Sequence, residues 1–258
     1  GARFQGPNWL LGLLSYIEET RLGEIVVEGM ETRIENAADD FEHYGDDIGD
    51  PSQNLGDLPL PPFTCPSAPA MSLERRIDTY SHDAWIAKGN YAANWGSTDY
   101  LAWEDKTTHG AFGVSLQAPV RRAGDVPMGY GEGSRMSQIS DGTSKTLLMS
   151  EVIGVDHPRD GRGGWILNAM GSSIFSARTS PNSTEHDVIP MCLPNMDVND
   201  RMYCERNRSN GQVWAAARSA HTGGVNSAKC DASVQFVSDD IDPVVWRALA
   251  TRAGDEVT

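Results

Sequence analysis

The stretch SAHTGGVNSAKCDASVQF, residues 219 to 236, sets His221 ten positions ahead of Asp231, with Gly223, Gly224 and Cys230 between them. An imidazole and a carboxylate are the raw material of a general base and its orienting group. Such a pair also needs a nucleophile, and Ser219, Ser227 and Ser233 are at hand. Short hydroxyl residues are equally turn formers, however, and neither a GxSxG elbow nor an HExxH helix occurs in the chain. The expectation is therefore non-enzymatic: His221 closes a loop by hydrogen bonds, and Asp231 is a turn residue that bonds its own backbone.

Other chemistry-bearing residues form four groups. Asp239, Asp240 and Asp242 lie within four residues, and Asp46, Asp47 and Asp50 within five. Closely spaced carboxylates offer the oxygens calcium prefers, so calcium is the candidate cofactor, although neither run has the EF-hand spacing. Four cysteines make no CxxC pattern. Cys192 and Cys204 flank a polar stretch and are expected to close a disulfide loop worth about 3 kcal/mol, with Cys65 and Cys230 as the remaining pair. Asn182 and Asn207 head glycosylation sequons. Trp95, Trp103, Trp165 and Trp214 occur in loop-like sequence and could stack on sugar rings, whereas Trp9 and Trp246 sit on apolar helix faces.

The elements that must position these residues follow from periodicity. Trp9, Leu10, Leu13, Leu14 and Ile17 are spaced for an amphipathic helix of three or four turns. A short helix is expected near residues 30–42, then acidic loop and strand material. The run 124–135 is glycine-rich without the context of a phosphate loop. Asp141-Gly142 predicts a turn before a strand over 146–153. Residues 158–212 are polar and irregular, and read as a long surface loop. VNSAKCDASVQFVS predicts a hairpin turning at Asp231-Ala232 with Val234 and Phe236 on one face. Asp242 and Pro243 then cap and start a helix buried through Val245, Trp246 and Leu249, with Gly254 just past its end.

With 258 residues, 39% of them hydrophobic and 22% charged, the chain can bury a full core. A formal charge of -15 repels phosphate backbones and anionic lipid, so no nucleic-acid partner is expected. No run of apolar residues is long enough to span a bilayer.

Several pieces in order carry a resemblance: WLLGLLSYIEE from Trp9, FTCPS from Phe63, GNYAANWG from Gly89, ISDGTSKTLLMSE from Ile139, GGW from Gly163, SPNS from Ser180, and the run from Arg218 that contains His221, Gly223, Gly224 and Asp231. The chain resembles the planctomycete-type prepilin-like family whose domain of unknown function is marked by a His, nine residues and Asp-Gly. That resemblance implies an α+β, pilin-like fold: an N-terminal helix packed on an antiparallel sheet with long loops, a C-terminal hairpin and a short helix. Length and the pattern along the chain predict one domain over 1–258, comprising a helix region (1–28), an acidic loop and strand region (29–157), the long loop (158–212) and the terminal hairpin and helix (213–258). The resemblance further implies an exported, extracellular or cell-surface homopolymer, touching a membrane only through a leader and hydrophobic helix missing from this chain. An anchored extracellular solute- or glycan-binding module is the alternative. Ala232 departs from the family pattern, which has glycine there; a left-handed turn would cost alanine on the order of 1 kcal/mol.

Overall fold

The computed structural model describes residues 9–24, 58–71, 76–79, 82–85, 87–100, 105–112, 134–157, 159–165, 167, 169–193, 195–207 and 212–254. Asp46, Asp47, Asp50, Trp103, the helix expected near 30–42 and nearly all of the glycine-rich run lie outside them.

The first helix is shorter than its apolar spacing predicts. α1 covers Trp9–Leu13, a 3-10 turn follows over Leu14–Tyr16, and Glu18 then adopts a left-handed φ of 68° that breaks the run before residues 20–24 resume it. α1 buries Leu10 and Leu11, and with Leu14 they pack on Leu60, Phe63, Ala87 and Trp165. Among the described residues no helix is long and apolar enough to cross a membrane.

The strands are β1 (Arg76–Thr79), β2 (His82–Trp85), β3 (Tyr91–Asn94), β4 (Leu147–Glu151), β5 (Ile174–Phe175), β6 (Asp187–Ile189), β7 (Cys204–Arg206), β8 (Gly224–Lys229) and β9 (Val234–Ser238). The main sheet has the order β5-β3-β4-β8-β9, while β1 pairs β2 and β6 pairs β7 in separate ribbons. The fold is α+β as expected, but the sheet is mixed: β3 runs parallel to β5, and β6 to β7. Strand alternation divides the core between two faces. Ala92 faces a cluster with Leu147, Phe175, Val225, Val237 and Trp246. Its neighbour Ala93 faces Trp95, Tyr100, Met170, Ile174, Ile189 and Val213.

The first of these faces is covered by α2 (Pro243–Ala250), which starts as expected, with the Asp242 side chain accepting from Val244 N–H and Pro243 in the first turn. Its buried residues are Trp246, Ala248 and Ala250, whereas Val245 is exposed. Thr251 is the C-cap, and Gly254 lies further on, donating its N–H to Asp141.

The segment 158–212 corrects the surface-loop expectation. Residues 169–177 are all buried, as are Asp160, Arg162 and Asp187. Polar residues go inside here because they satisfy one another. Asp160 takes a bidentate ion pair from Arg162 at 2.9 and 2.7 Å, and Arg218 grips Asp187 at 3.2 and 2.9 Å. Arg162 also lies 3.5 Å from Asp187 and donates to Met202 O, joining the two pairs. Two aspartates and two arginines thus neutralise one another, which is the condition for burying charge.

The hairpin of β8 and β9 is as expected, and its turn holds the strained residue. Ala232 N–H donates to Lys229 O, Lys229 N–H donates to Ser233 O, and Ala232 has φ 67°. This is a turn followed by a left-handed residue, the position that glycine usually fills. Ala232→Gly should relieve more strain than it adds in chain entropy, stabilising by about 0.5–1 kcal/mol and raising Tm by about 1–4 °C. A lower Tm in a thermal melt would show that the turn carries no strain.

Candidate functional site

His221 and Asp231, adjacent in the motif, are kept apart by the hairpin between them. Asp231 sits in the far turn, where its carboxylate accepts from Ser233 N–H at 2.9 Å and from the Ser233 hydroxyl at 2.6 Å. Those hydrogen bonds hold its pKa below the ordinary value. Asp231 is therefore a turn residue.

His221 instead precedes β8, where its N–H donates to Ser219 Oγ at 3.1 Å. Ser219 is fixed in turn, its hydroxyl donating to Gly224 O and its N–H to Asn182 Oδ1. Gly223 between them has φ +82°, a conformation that side chains disfavour. Gly224 must lack a side chain because a Cβ there would run into the backbone carbonyl oxygen of Val237, with the Phe236 ring atoms 2.7 Å away as well. The two motif glycines thus shape the approach that aims His221.

Its imidazole Nε2 lies 3.1 Å from Glu151 Oε1 and 3.6 Å from Cys65 Sγ. Glu151 ends β4 and is buried; its other carboxylate oxygen accepts from Asn226 N–H at 2.7 Å. Cys65 follows the 3-10 turn Pro61–Phe63, and its N–H donates to Asn90 Oδ1 at 3.0 Å. Asn90, also buried, is itself held in place: its amide donates to Val152 O and its N–H to Phe63 O, pinning the Cys65 segment to the sheet. Tyr91 on β3 pairs with Glu151 across the ladder. Burial first, and then the charges of Cys65 and Glu151, raise its phenol pKa.

Among the described residues, Cys65, Glu151 and His221 are the group of three whose ligating atoms lie within 4.8 Å of one another. The arrangement differs from a nucleophile relay. A relay places the nucleophile on one ring nitrogen and the carboxylate on the other, so that a proton passes through the ring. Here the thiol and the carboxylate meet the same nitrogen, and three donor atoms converge.

The other candidate residues resolve as structural. Cys192 and Cys204 are joined as a disulfide, whereas Cys65 and Cys230 are free and buried in different places, which corrects their expected pairing. Cys230 packs with Ala111 and Ile139, and burial pushes its thiol up to about 11. Asp239 accepts from Asn182 Nδ2 at 2.8 Å and Asp242 caps α2, while Asp240 does not join them in a common group of ligating atoms. The Asn182 amide also reaches Gly224 O, so this sequon residue is committed to a clasp between loops. Asn207 donates to Gln212 O at 3.2 Å. Trp95 and Trp165 are buried, Trp95 stacked on Tyr100 and Trp165 against Phe63, and Trp214 is covered by the Arg178 guanidinium at 3.6 Å. Burial takes Trp95 and Trp165 out of the expected sugar surface, while Trp214 stays half-buried.

Sequence spacing pointed to His221 but missed Glu151 and Cys65. The usable signal was the strand context of LLMSE, in which a glutamate closes a largely apolar strand and needs partners.

The molecule is an α+β domain with a mixed sheet, a disulfide and a convergent thiol, imidazole and carboxylate. A family model described as a protein of unknown function (DUF1559) matches residues 1–244, and the chain belongs to that family. No curated protein and no solved structure matches it.

Proposed function

We propose that the chain is a non-enzymatic, extracellular structural subunit of the pilin-like class, which self-associates into a filament or other surface assembly. The observation that carries this reading is the outer edge of β9. The strand ends the sheet, and among the described residues no strand pairs with its outer side. Asp239 N–H donates to Gly223 O and Lys229 N–H to Ser233 O, so the register turns Gln235 and Val237 toward β8. The backbone groups of Val234, Phe236 and Ser238 then point outward. Val234 is 70% exposed and Phe236 53% exposed. A long edge with exposed apolar side chains is a template for another strand. The Cys192–Cys204 disulfide supports an oxidising location. The ordered motifs that resemble prepilin-like proteins support the pilin-like class.

Phe236→Lys places a charge on that edge without touching the core. Sedimentation velocity and negative-stain microscopy of the native chain should show concentration-dependent oligomers or polymers, and the variant should shift to monomer with its circular dichroism unchanged. A native chain that stays monomeric at all concentrations and binds glycans would overturn the reading in favour of an anchored binding module.

A further inference from the structure

We propose that Cys65, Glu151 and His221 form a zinc-class metal site that clips three distant parts of the chain together. Thiolate, imidazole and carboxylate are the zinc donor set. Zinc bonds of about 2.3 Å to sulfur and 2.0–2.1 Å to nitrogen or oxygen, set tetrahedrally, separate sulfur from nitrogen by about 3.5 Å and nitrogen from oxygen by about 3.3 Å. The observed separations are 3.6 Å and 3.1 Å. Two of the three donor separations therefore match edges of one tetrahedron that share the corner Nε2, and all three ligating atoms lie within 4.8 Å of one another.

The surroundings fit the same role. Glu151 is 2% exposed, and a buried carboxylate requires charge compensation, which a divalent cation supplies. Asn226 N–H on Glu151 and the Asn90 carboxamide on the Cys65 backbone are outer partners that fix ligand orientation. The His221 side chain is 29% exposed, which gives an entry path and room for a water as fourth ligand. The ligands come from the segment after Phe63, the end of β4 and the loop before β8, with a sequence separation of 70 from Glu151 to His221 and of 156 from Cys65 to His221. A metal joining them closes long loops, so its main effect is on stability.

The test uses the native chain, stripped with a chelator and dialysed without thiol reductant, then titrated with zinc alone. One equivalent should bind, and Tm should rise by about 5–10 °C at free zinc about 100 times Kd. Cobalt in place of zinc should give a thiolate charge-transfer band. Zinc should protect Cys65 from alkylation while leaving Cys230 unchanged, a readout that needs no variant to fold. His221→Gln and Glu151→Gln should each weaken zinc by about 100-fold or more, and Cys230→Ser should not. Zinc that leaves Cys65 unprotected, or that binds the His221 and Glu151 variants as tightly, would overturn the site and leave the trio as a hydrogen-bonded contact. Because zinc binding is read per chain, these results do not depend on whether the chain assembles.

Discussion

Arg162→Met should destabilise the fold by about 3–5 kcal/mol, lowering Tm by roughly 10 °C, with equilibrium urea denaturation as the measurement. The side chain is 1% exposed, and its loss takes the bidentate guanidinium partner from Asp160, which is fully buried, and weakens the hold on Asp187. Removing one partner of a buried pair costs far more than removing both, because an uncompensated charge remains. Asp160→Asn combined with Arg162→Met should therefore be less harmful than the two single changes added together, by about 0.5–3 kcal/mol. Additivity would show that the groups act independently. The pH dependence has a definite sign. Burial alone would raise the Asp160 carboxyl, but the hydrogen bonds and charge of Arg162, with Lys88 behind, outweigh it and hold the pKa below the ordinary value. A depressed folded pKa contributes stability that is present above the unfolded value of about 3.9 and lost as pH falls through the folded one. The stability difference between native and Arg162→Met chains should accordingly be full at neutral pH and shrink in acid.

This network also explains which parts of the structure were legible in sequence. The terminal hairpin and α2 were, because period-2 alternation in VNSAKCDASVQF and the Asp242-Pro243 cap are local signals that need no distant partner. The segment 158–212 was not. Its Asp160, Arg162 and Asp187 look like surface residues one at a time, and only their convergence with Arg218 makes burial affordable in free-energy terms. The N-terminal helix failed for the opposite reason. Its apolar spacing continues to Ile17, yet the left-handed Glu18 ends the run, a backbone choice that side-chain periodicity does not report. The candidate site fell between these cases. His221 stood out by its motif, but Cys65 and Glu151 reach it through pairings of β3 with β4 and β4 with β8 that no single stretch encodes.

Replacing Cys192 and Cys204 together by alanine should cost about 3 kcal/mol, the loop-closure value for a sequence separation of 12. Both cysteines are 4% exposed in the cluster with Ile189, Met170 and Val213, so alanine leaves no unpaired polar group there. The loss acts mainly through the unfolded chain, which gains freedom, so the urea midpoint should fall while the m-value holds or rises. The effect should not be uniform. Cys204 pairs with Asp187 in the parallel β6-β7 ribbon, and its sulfur lies 3.9 Å from Asp160. Leu193 N–H, next to Cys192, donates to the same Asp160 oxygen at 3.1 Å. The disulfide therefore holds the loop that seats the ion network, and its removal should couple to Arg162→Met in a double-mutant cycle. Amide exchange should accelerate first in β6 and β7, while β8 and β9, joined by their own ladder, keep their protection. An unchanged urea midpoint, or exchange that accelerates equally in both regions, would mean that the bridge constrains nothing that packing does not already hold.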